Sequence, residues 1–209
     1  MATLLHIDSS PMGAASVSRH LSNTFVENWK KAHAGGTVVT RDLTKSGLVP
    51  IDAAWVAAVY TPEEARTAEQ KVVLAKSDEL LAEIFAADEL AIGVAMHNFS
   101  IPSVLKLWID QIARVGKTFS YETGVPVGLL TGKKATFLVA TGAVYGAGTA
   151  YESLNFIEPY LRALLGFIGI SEVSFHTAGG AGALMRGANR EEFLQPHDEA
   201  VAALAAAHA

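Results

Sequence analysis

Residues 88–121 read DELAIGVAM HNFSIP SVLKLWIDQIARVGKTFSY, and the fold is decided there. Glu89 to Met96 is an almost unbroken apolar run, the pattern of a strand covered on both faces as inner strands of a parallel sheet are. Pro102 falls where a helix opens, because its missing N–H costs nothing in a first turn. Beyond it Val104, Leu105, Trp108, Ile109 and Ile112 recur at helical spacing, with Lys106, Asp110, Gln111 and Arg114 assigned to the opposite face. Strand, short turn and amphipathic helix make a βα unit. The turn Met96-His97-Asn98-Phe99 lies at the carboxyl end of the strand, where open α/β sheets bind ligands. Its residues suit a flat aromatic cofactor.

The same alternation extends in both directions. Thr3 to Ile7 is a short apolar strand, and Ser16-Val17-Ser18 opens a helix with Leu21, Phe25, Val26 and Trp29 on one face. Ala34-Gly35-Gly36 stops that helix, and Thr37 to Leu43 has the pattern of a second strand. Lys45 to Tyr60 is mixed. Thr61-Pro62-Glu63-Glu64 reads as the start of a helix running to about Ala86. After the central unit, Glu122 to Gly132 is rich in turn residues and Ala135 to Ala140 is another strand. A helix over Asn155–Leu165, a strand over Glu172–Thr177, a glycine-rich loop over Ala178–Gly187 and a helix from Asn189, interrupted at Pro196, complete the chain. With no internal repeat and no linker, a single domain over residues 1–209 is expected. The order βαβαβαβαβα predicts an α/β doubly wound sheet of five parallel strands, ordered 2-1-3-4-5, with helices on both faces.

Composition narrows the function classes. A length of 209 residues with half of them hydrophobic and 18% charged suits a buried core and argues against disorder. Net charge is −5, without a basic cluster, which argues against nucleic acid as partner and against a polybasic membrane patch. No cysteine is present, so disulfides, thiolate nucleophiles and cysteine zinc sites are all excluded. No apolar run approaches membrane-spanning length and the opening MATLLHIDSS lacks a signal-like pattern, so a cytoplasmic protein without membrane insertion is expected.

Three loops at the carboxyl edge carry unusual residues. In the first, Ser10, Ser16 and Ser18 surround a helix start, where free N–H groups and the helix dipole favour a phosphate. The plainer reading is that Ser16 only caps the helix. Neither a Walker lysine nor G-x-G-x-x-G is present, which disfavours P-loop nucleotides and dinucleotides. In the second, Met96 and Phe99 suit the body of a flat ring and the Asn98 amide its polar edge. The plainer reading of Phe99 is a plug in the core, and of His97 a solvated ring. In the third, Ala140-Thr141-Gly142-Ala143 is small enough for backbone amides to approach a ligand closely, and Tyr145 is a loop-tip aromatic.

At these positions the chain resembles the FMN-dependent NADH azoreductases. HIDSS with S-V-S, M-H-N-F-S-I-P with L-K-x-W-I-D, R-V-G-K-T-F-S-Y, G-L-L-T-G-K-K-A and L-L-G-F-I-G-I occur in the family's order along nearly the whole chain. The resemblance implies a flavodoxin-like homodimer related to quinone reductases, with tightly but non-covalently bound FMN. It assigns the FMN phosphate to Ser10, Ser16, Val17 and Ser18, and the flavin to Met96, His97, Asn98 and Phe99. Ala140, Thr141, Gly142 and Ala143 would approach the ring's other side. It further implies ping-pong two-electron hydride transfer from NADH or NADPH to quinones and aromatic azo bonds, with no certain catalytic residue; His97 and then Tyr121 are the candidates. The chain departs from the family in having His97 where tyrosine is common, and Ala140-Thr141-Gly142-Ala143 where Ser-Arg-Gly-Gly is frequent. Two readings compete: a flavodoxin-like electron carrier, disfavoured by the extra loops at Lys45–Tyr60 and Arg114–Gly132, and a serine hydrolase using Ser9 or Ser10 with His197 and Asp198. Trp108, Leu107 and Phe119 are expected to supply apolar surface for dimerisation.

Overall fold

Residues 1–122 and 124–207 are described by the computed structural model. The central strand is β3, Glu89–Ala95, buried along almost its whole length. It is flanked by β1 (Thr3–Asp8) and β6 (Lys134–Ala140), with β2 (Thr37–Asp42) and β7 (Glu172–Ala178) at the edges. All neighbours pair in parallel in the order β2-β1-β3-β6-β7, a five-stranded sheet whose order reverses between β1 and β3. That is the order expected of a flavodoxin-like sheet, and its carboxyl edge is where a ligand crevice opens.

Helices cover both faces. On one, α1 (Val17–Ala32) and α6 (Arg190–Ala206) pack Leu21, Phe25, Trp29, Leu194 and Val201 against Leu4, Ala91 and Leu138. On the other, α3 (Ala68–Ala86), α4 (Ser103–Ile112) and α5 (Ile157–Ile168) bury Leu80, Ile84, Leu105, Trp108, Leu161 and Leu165 against Leu5, Ile92 and Phe137. α1 begins where the Ser16 hydroxyl accepts the Arg19 N–H at 3.2 Å, and α5 ends at Gly169, whose φ of 104° few other residues could adopt.

Several expectations need correction. α3 starts at Ala68, not near Thr61: Thr67 and Gln70 form a reciprocal capping box, with bonds of 3.0 and 3.3 Å, while Pro62 leads only into a 3-10 turn at Glu63–Ala65. Ala53–Tyr60 is a helix, α2, rather than loop. It packs on α3 and sends Trp55 to Gln111 on the supposedly polar side of α4; Gln111 and Arg114 are both buried. Trp55 Nε1 donates to Gln111 Oε1 at 2.9 Å, and Arg114 donates to the Ser77 hydroxyl at 3.0 Å and pairs with Asp78. Within the connection after α4, Phe119–Ser120 (β4) and Val127–Gly128 (β5) pair as a small antiparallel ribbon. The Ala178–Gly187 stretch contains a 3-10 helix at Ala181–Arg186. Pro196 does not interrupt α6, which is held across it by Leu194 on one side and Val201 on the other. Trp108 lies in the core at 1% exposure and offers nothing to a dimer surface.

Two predictions follow from the packing. Gly93 is where α1 comes closest to β3. A Cβ there would stand 3.0 Å from Asp8 Oδ1, 3.1 Å from the Ser18 carbonyl and 3.1 Å from the Ser22 hydroxyl. Gly93→Ala therefore pushes the start of α1 off the sheet at a cost of about 1–3 kcal/mol, read as a lower urea midpoint. Between β7 and α6, His176 Nε2 and His197 Nδ1 share a hydrogen bond of 3.1 Å. Burial lowers both pKa values; the His197 charge lowers His176 further, and Asp198 partly offsets the effect on His197. The unfolded chain, with imidazoles near 6.5, thus takes up protons first as pH falls. The stability these rings contribute is present above about pH 6.5 and is lost below it. Urea midpoints should drop between about pH 7 and pH 5, and His197→Gln should flatten that drop; an equal drop in the variant excludes the pair as its source.

Candidate active site

At the carboxyl edge the chain turns out of β1 through Ser9 and Ser10, passes a 3-10 turn at Gly13–Ala15 and enters α1. Ser10, Ser16 and Ser18 are all buried. The Ser16 and Ser18 hydroxyls stand 3.2 Å apart, and the Met12 N–H approaches the Ser10 hydroxyl at 3.4 Å. Side-chain hydroxyls thus gather around first-turn N–H groups that a helix cannot pair by itself. This is the chemistry of an anion cradle built without charge on its own side chains.

Arg19 fixes this loop from beneath. Its Nε donates to the Ser10 carbonyl at 2.7 Å, and its other nitrogens reach Asp8 at 3.2 Å and Asp42 at 2.7 Å. The Asp42 carboxyl is partly buried, which raises its pKa, but the Arg19 and Thr44 hydrogen bonds and the Arg19 charge outweigh that and hold it at about 2. The guanidinium is therefore spent on structure.

The cradle faces the loop after β6. Ser10, Ser16, Val17 and Ser18 share a cleft of about 230 Å³ with Ala140, Thr141 and Gly142, and the end of β3 contributes Ala95. The Thr141 hydroxyl donates to the Ala143 carbonyl at 2.7 Å and so closes its own turn. A Cβ on Gly142 would meet nothing within 4 Å, so the space above this turn is open. The far wall was missed in the sequence: Ala181, Gly182 and Met185, from the glycine-rich stretch after β7, line the same cleft, where Gly182 N–H donates to the Gly142 carbonyl at 3.0 Å. The signal was available, since a glycine-rich stretch after the fifth strand must lie at the same edge as those after the first and fourth.

The turn after β3 stands beside this cleft and not inside it. Met96 N–H is anchored on the Ala140 carbonyl at 2.9 Å. His97 and Ser100 exchange both backbone hydrogen bonds, at 2.9 and 3.0 Å, around Asn98 and Phe99. Asn98 has φ 48° and Phe99 φ 70°, the only non-glycine residues at positive φ among those described. Two such residues in succession are the centre of a type I′ turn, and a phenylalanine there is strained. Strain of this kind clusters at functional sites. The Phe99 side chain is 43% exposed and meets Tyr145 edge-on at 6.3 Å, so it does not plug the core as the plainer reading had it. His97 is exposed and lines a second cleft of about 230 Å³ with Ser9, Pro11, Thr44 and Ser103. Tyr121, on the β4–β5 ribbon, packs against Phe119 and lines neither cleft.

The hydrolase constellation does not form. Ser9 donates its proton to the Gly93 carbonyl at 2.7 Å. Asp198 is held by His20 at 2.8 Å and by Thr24, and His197 faces His176, so neither serves the other or a serine. Among the described residues no group of histidine and acidic side chains could hold a metal, and no helix is long and apolar enough to cross a membrane.

Known proteins match this geometry. The family described as having a flavodoxin-like fold matches residues 2–204. An FMN-dependent NADH:quinone oxidoreductase of Acidobacterium capsulatum is 56% identical over 197 residues, covering 94% of this chain and 95% of its own. One from Burkholderia lata is 47% identical over 205 residues, covering 98% and 99%. Among solved structures, an azoreductase from Bacillus anthracis superposes with a TM-score of 0.88 at 28% identity, over 99% of this chain and all of its own. An FMN-dependent NADH-azoreductase of Bacillus anthracis, solved in complex with FMN, gives 0.86 at 27%, over 99% of each.

The strained turn makes its own prediction. Removing the Phe99 side chain relieves the positive φ and vacates no core, so Phe99→Gly should keep stability within about 1 kcal/mol of the parent. A core phenylalanine would instead lose about 3–5 kcal/mol, which a urea titration separates easily.

Proposed function

The chain belongs to the flavodoxin-like family of FMN-dependent NADH:quinone oxidoreductases, and from that premise we propose how its site is used. The enzyme takes electrons from NADH and delivers them to quinones with FMN as its cofactor. The FMN phosphate is assigned to Ser10, Ser16, Val17 and Ser18. The isoalloxazine ring is assigned to the ground between Met96-His97-Asn98-Phe99 and Ala140-Thr141-Gly142-Ala143. One observation carries this assignment: buried hydroxyls around a helix start share one open cleft with the small residues after β6. A phosphate and a flat ring fit those two halves, and the strained turn at Asn98 and Phe99 borders the same edge.

When bound, FMN supplies the hydride transfer itself; the protein's part is position and electrostatics. Ser16 and Ser18 donate to the phosphate, and the dipole of α1 points its positive end at that charge. The open space above Gly142 lets backbone groups approach the ring, and the Asn98 amide, without a partner among the described residues, offers both a donor and an acceptor to the ring's polar edge. Phe99, Tyr145 and Tyr151, whose rings stand 6.3 and 5.8 Å apart in turn, form an aromatic rim suited to flat acceptors. We include aromatic azo compounds among those acceptors, and we take the enzyme to work in the cytoplasm, where NADH is supplied. No side chain on this rim is placed to act as an essential acid or base. His97, on the second cleft, is therefore assigned to acceptor fit, and Tyr121, which lines neither cleft, is given no role.

The working assembly is proposed to be a homodimer. Exposed apolar side chains cluster near the active edge, among them Phe99, Val144, Tyr151 and Phe156, each more than 40% exposed. A second copy covering them would also shield the acceptor site from water.

Purified protein supplied with FMN should oxidise NADH with a simple quinone as acceptor and without a partner protein; dependence on a partner would favour an electron carrier. Ser18→Ala should raise the FMN dissociation constant by roughly 10–100-fold in a flavin-fluorescence titration, the weight of a hydrogen bond to a charged group. An unchanged constant would remove Ser18 from the phosphate site. Light scattering at micromolar concentration should return twice the chain mass, and a fully active monomer would overturn the dimer.

A further inference from the structure

We propose that Arg190 is a positioning residue for the cofactor phosphate, acting by clamping the backbone of the phosphate loop; the inference rests on the FMN reading above. Arg190 is the first residue of α6, beyond the last strand and far in sequence from the loop it touches. Its Nη1 donates to the Ala15 carbonyl at 3.0 Å and its Nη2 to the Ser16 carbonyl at 3.3 Å. Two nitrogens of one rigid fork thus hold two consecutive carbonyls, a task for which arginine is suited and lysine is not.

The grip fixes more than the oxygens. Each peptide unit is planar and trans, so the plane carrying the Ala15 carbonyl also carries the Ser16 N–H, and the plane carrying the Ser16 carbonyl carries the Val17 N–H. Holding the Ser16 oxygen therefore fixes the direction of the first helical N–H of α1, and polarises that peptide so its hydrogen is a better donor to an anion. The Ser16 carbonyl already accepts the His20 N–H at 3.2 Å within the helix, and Arg190 takes its second lone pair.

Charge favours the same role. A phosphate dianion needs a countercharge, and the serines supply donors without any. Arg19, the other arginine at this loop, is neutralised by Asp8 and Asp42. Arg190 forms no ion pair among the described residues and leaves a net positive charge one peptide unit from the cradle. The backbone that carries it is fixed at the helix start, where the Asn189 side chain accepts the Glu191 N–H at 2.9 Å. α6 thus serves the cofactor site from outside it, without lining the cleft.

The role is separable from a purely structural one, because riboflavin carries the same ring without the phosphate. In fluorescence titrations of apoprotein, Arg190→Gln should raise the FMN dissociation constant about tenfold and leave the riboflavin constant within about twofold. Arg190→Lys, which keeps the charge but loses the fork, should restore only part of the FMN affinity. Thermal denaturation of the apoproteins reports any general loss of folding separately. Equal weakening of both flavins, or FMN affinity unchanged in Arg190→Gln, overturns the proposal. Full rescue by lysine overturns the clamp. If the parent protein itself fails to prefer FMN to riboflavin, the reading of the phosphate site falls, and the role of Arg190 falls with it.

Discussion

One guanidinium ties the active edge together. Arg19 joins the end of β1 through Asp8, the end of β2 through Asp42, and the loop after β1 through the Ser10 carbonyl. Asp8 also accepts the Ser22 hydroxyl at 2.9 Å and lies 3.5 Å from His6 Nε2. A cluster this buried yields little net stability against an apolar replacement, because desolvation offsets much of the attraction, but losing one member strands the others without partners. Its effect is specificity of geometry. With both strand ends and the helix start pinned to one side chain, the loop is held in one geometry.

The space for that arrangement comes from β3. Gly93 lets α1 lie close enough for Ser18 and Ser22 to approach the strand, and Ser9 spends its hydroxyl on the Gly93 carbonyl. The organisation of the site is therefore layered. Asp8, Ser9, Arg19 and Asp42 are engaged with one another or with the backbone, and Ser10, Ser16 and Ser18 line the open cleft. Neighbouring serines divide between the two tasks according to which side of the loop they face.

Periodicity alone carried much of the fold. Short continuous apolar runs bounded by polar residues, such as Glu89–Ala95 and Lys134–Ala140, are buried strands as their length suggested, and the Ser16 and Asn189 caps sit at their helix starts. What failed was local chemistry read without its partners. Gln111 looks solvent-facing until Trp55 of α2 reaches it, Arg114 until Ser77 and Asp78 of α3 do, and a Pro at residue 62 suggests a helix start until the Thr67–Gln70 capping box competes. The site was legible as three loops, yet the fourth wall at Ala181–Met185 was not, because small residues carry no functional signature until the topology places them. The positive φ at Asn98 and Phe99 was also hidden: asparagine tolerates it and hints at a turn, but nothing in a phenylalanine announces strain.

That strain bears on the position where the chain leaves its relatives. The turn after β3 is closed by the backbone of His97 and Ser100, and the Met96 N–H is fixed on β6. The turn therefore does not depend on which side chain stands at 97. That side chain faces the second cleft, beside Ser9, Pro11, Thr44 and Ser103. Exchanging a tyrosine for histidine there changes the size and polarity of that wall without disturbing the backbone of the turn. The third loop follows the same logic: Thr141 closes its turn with its own hydroxyl on the Ala143 carbonyl. At both departures the backbone geometry is secured by bonds internal to the loop. Neither turn therefore depends on the identity of the side chain at 97 or on a further basic residue to hold its shape.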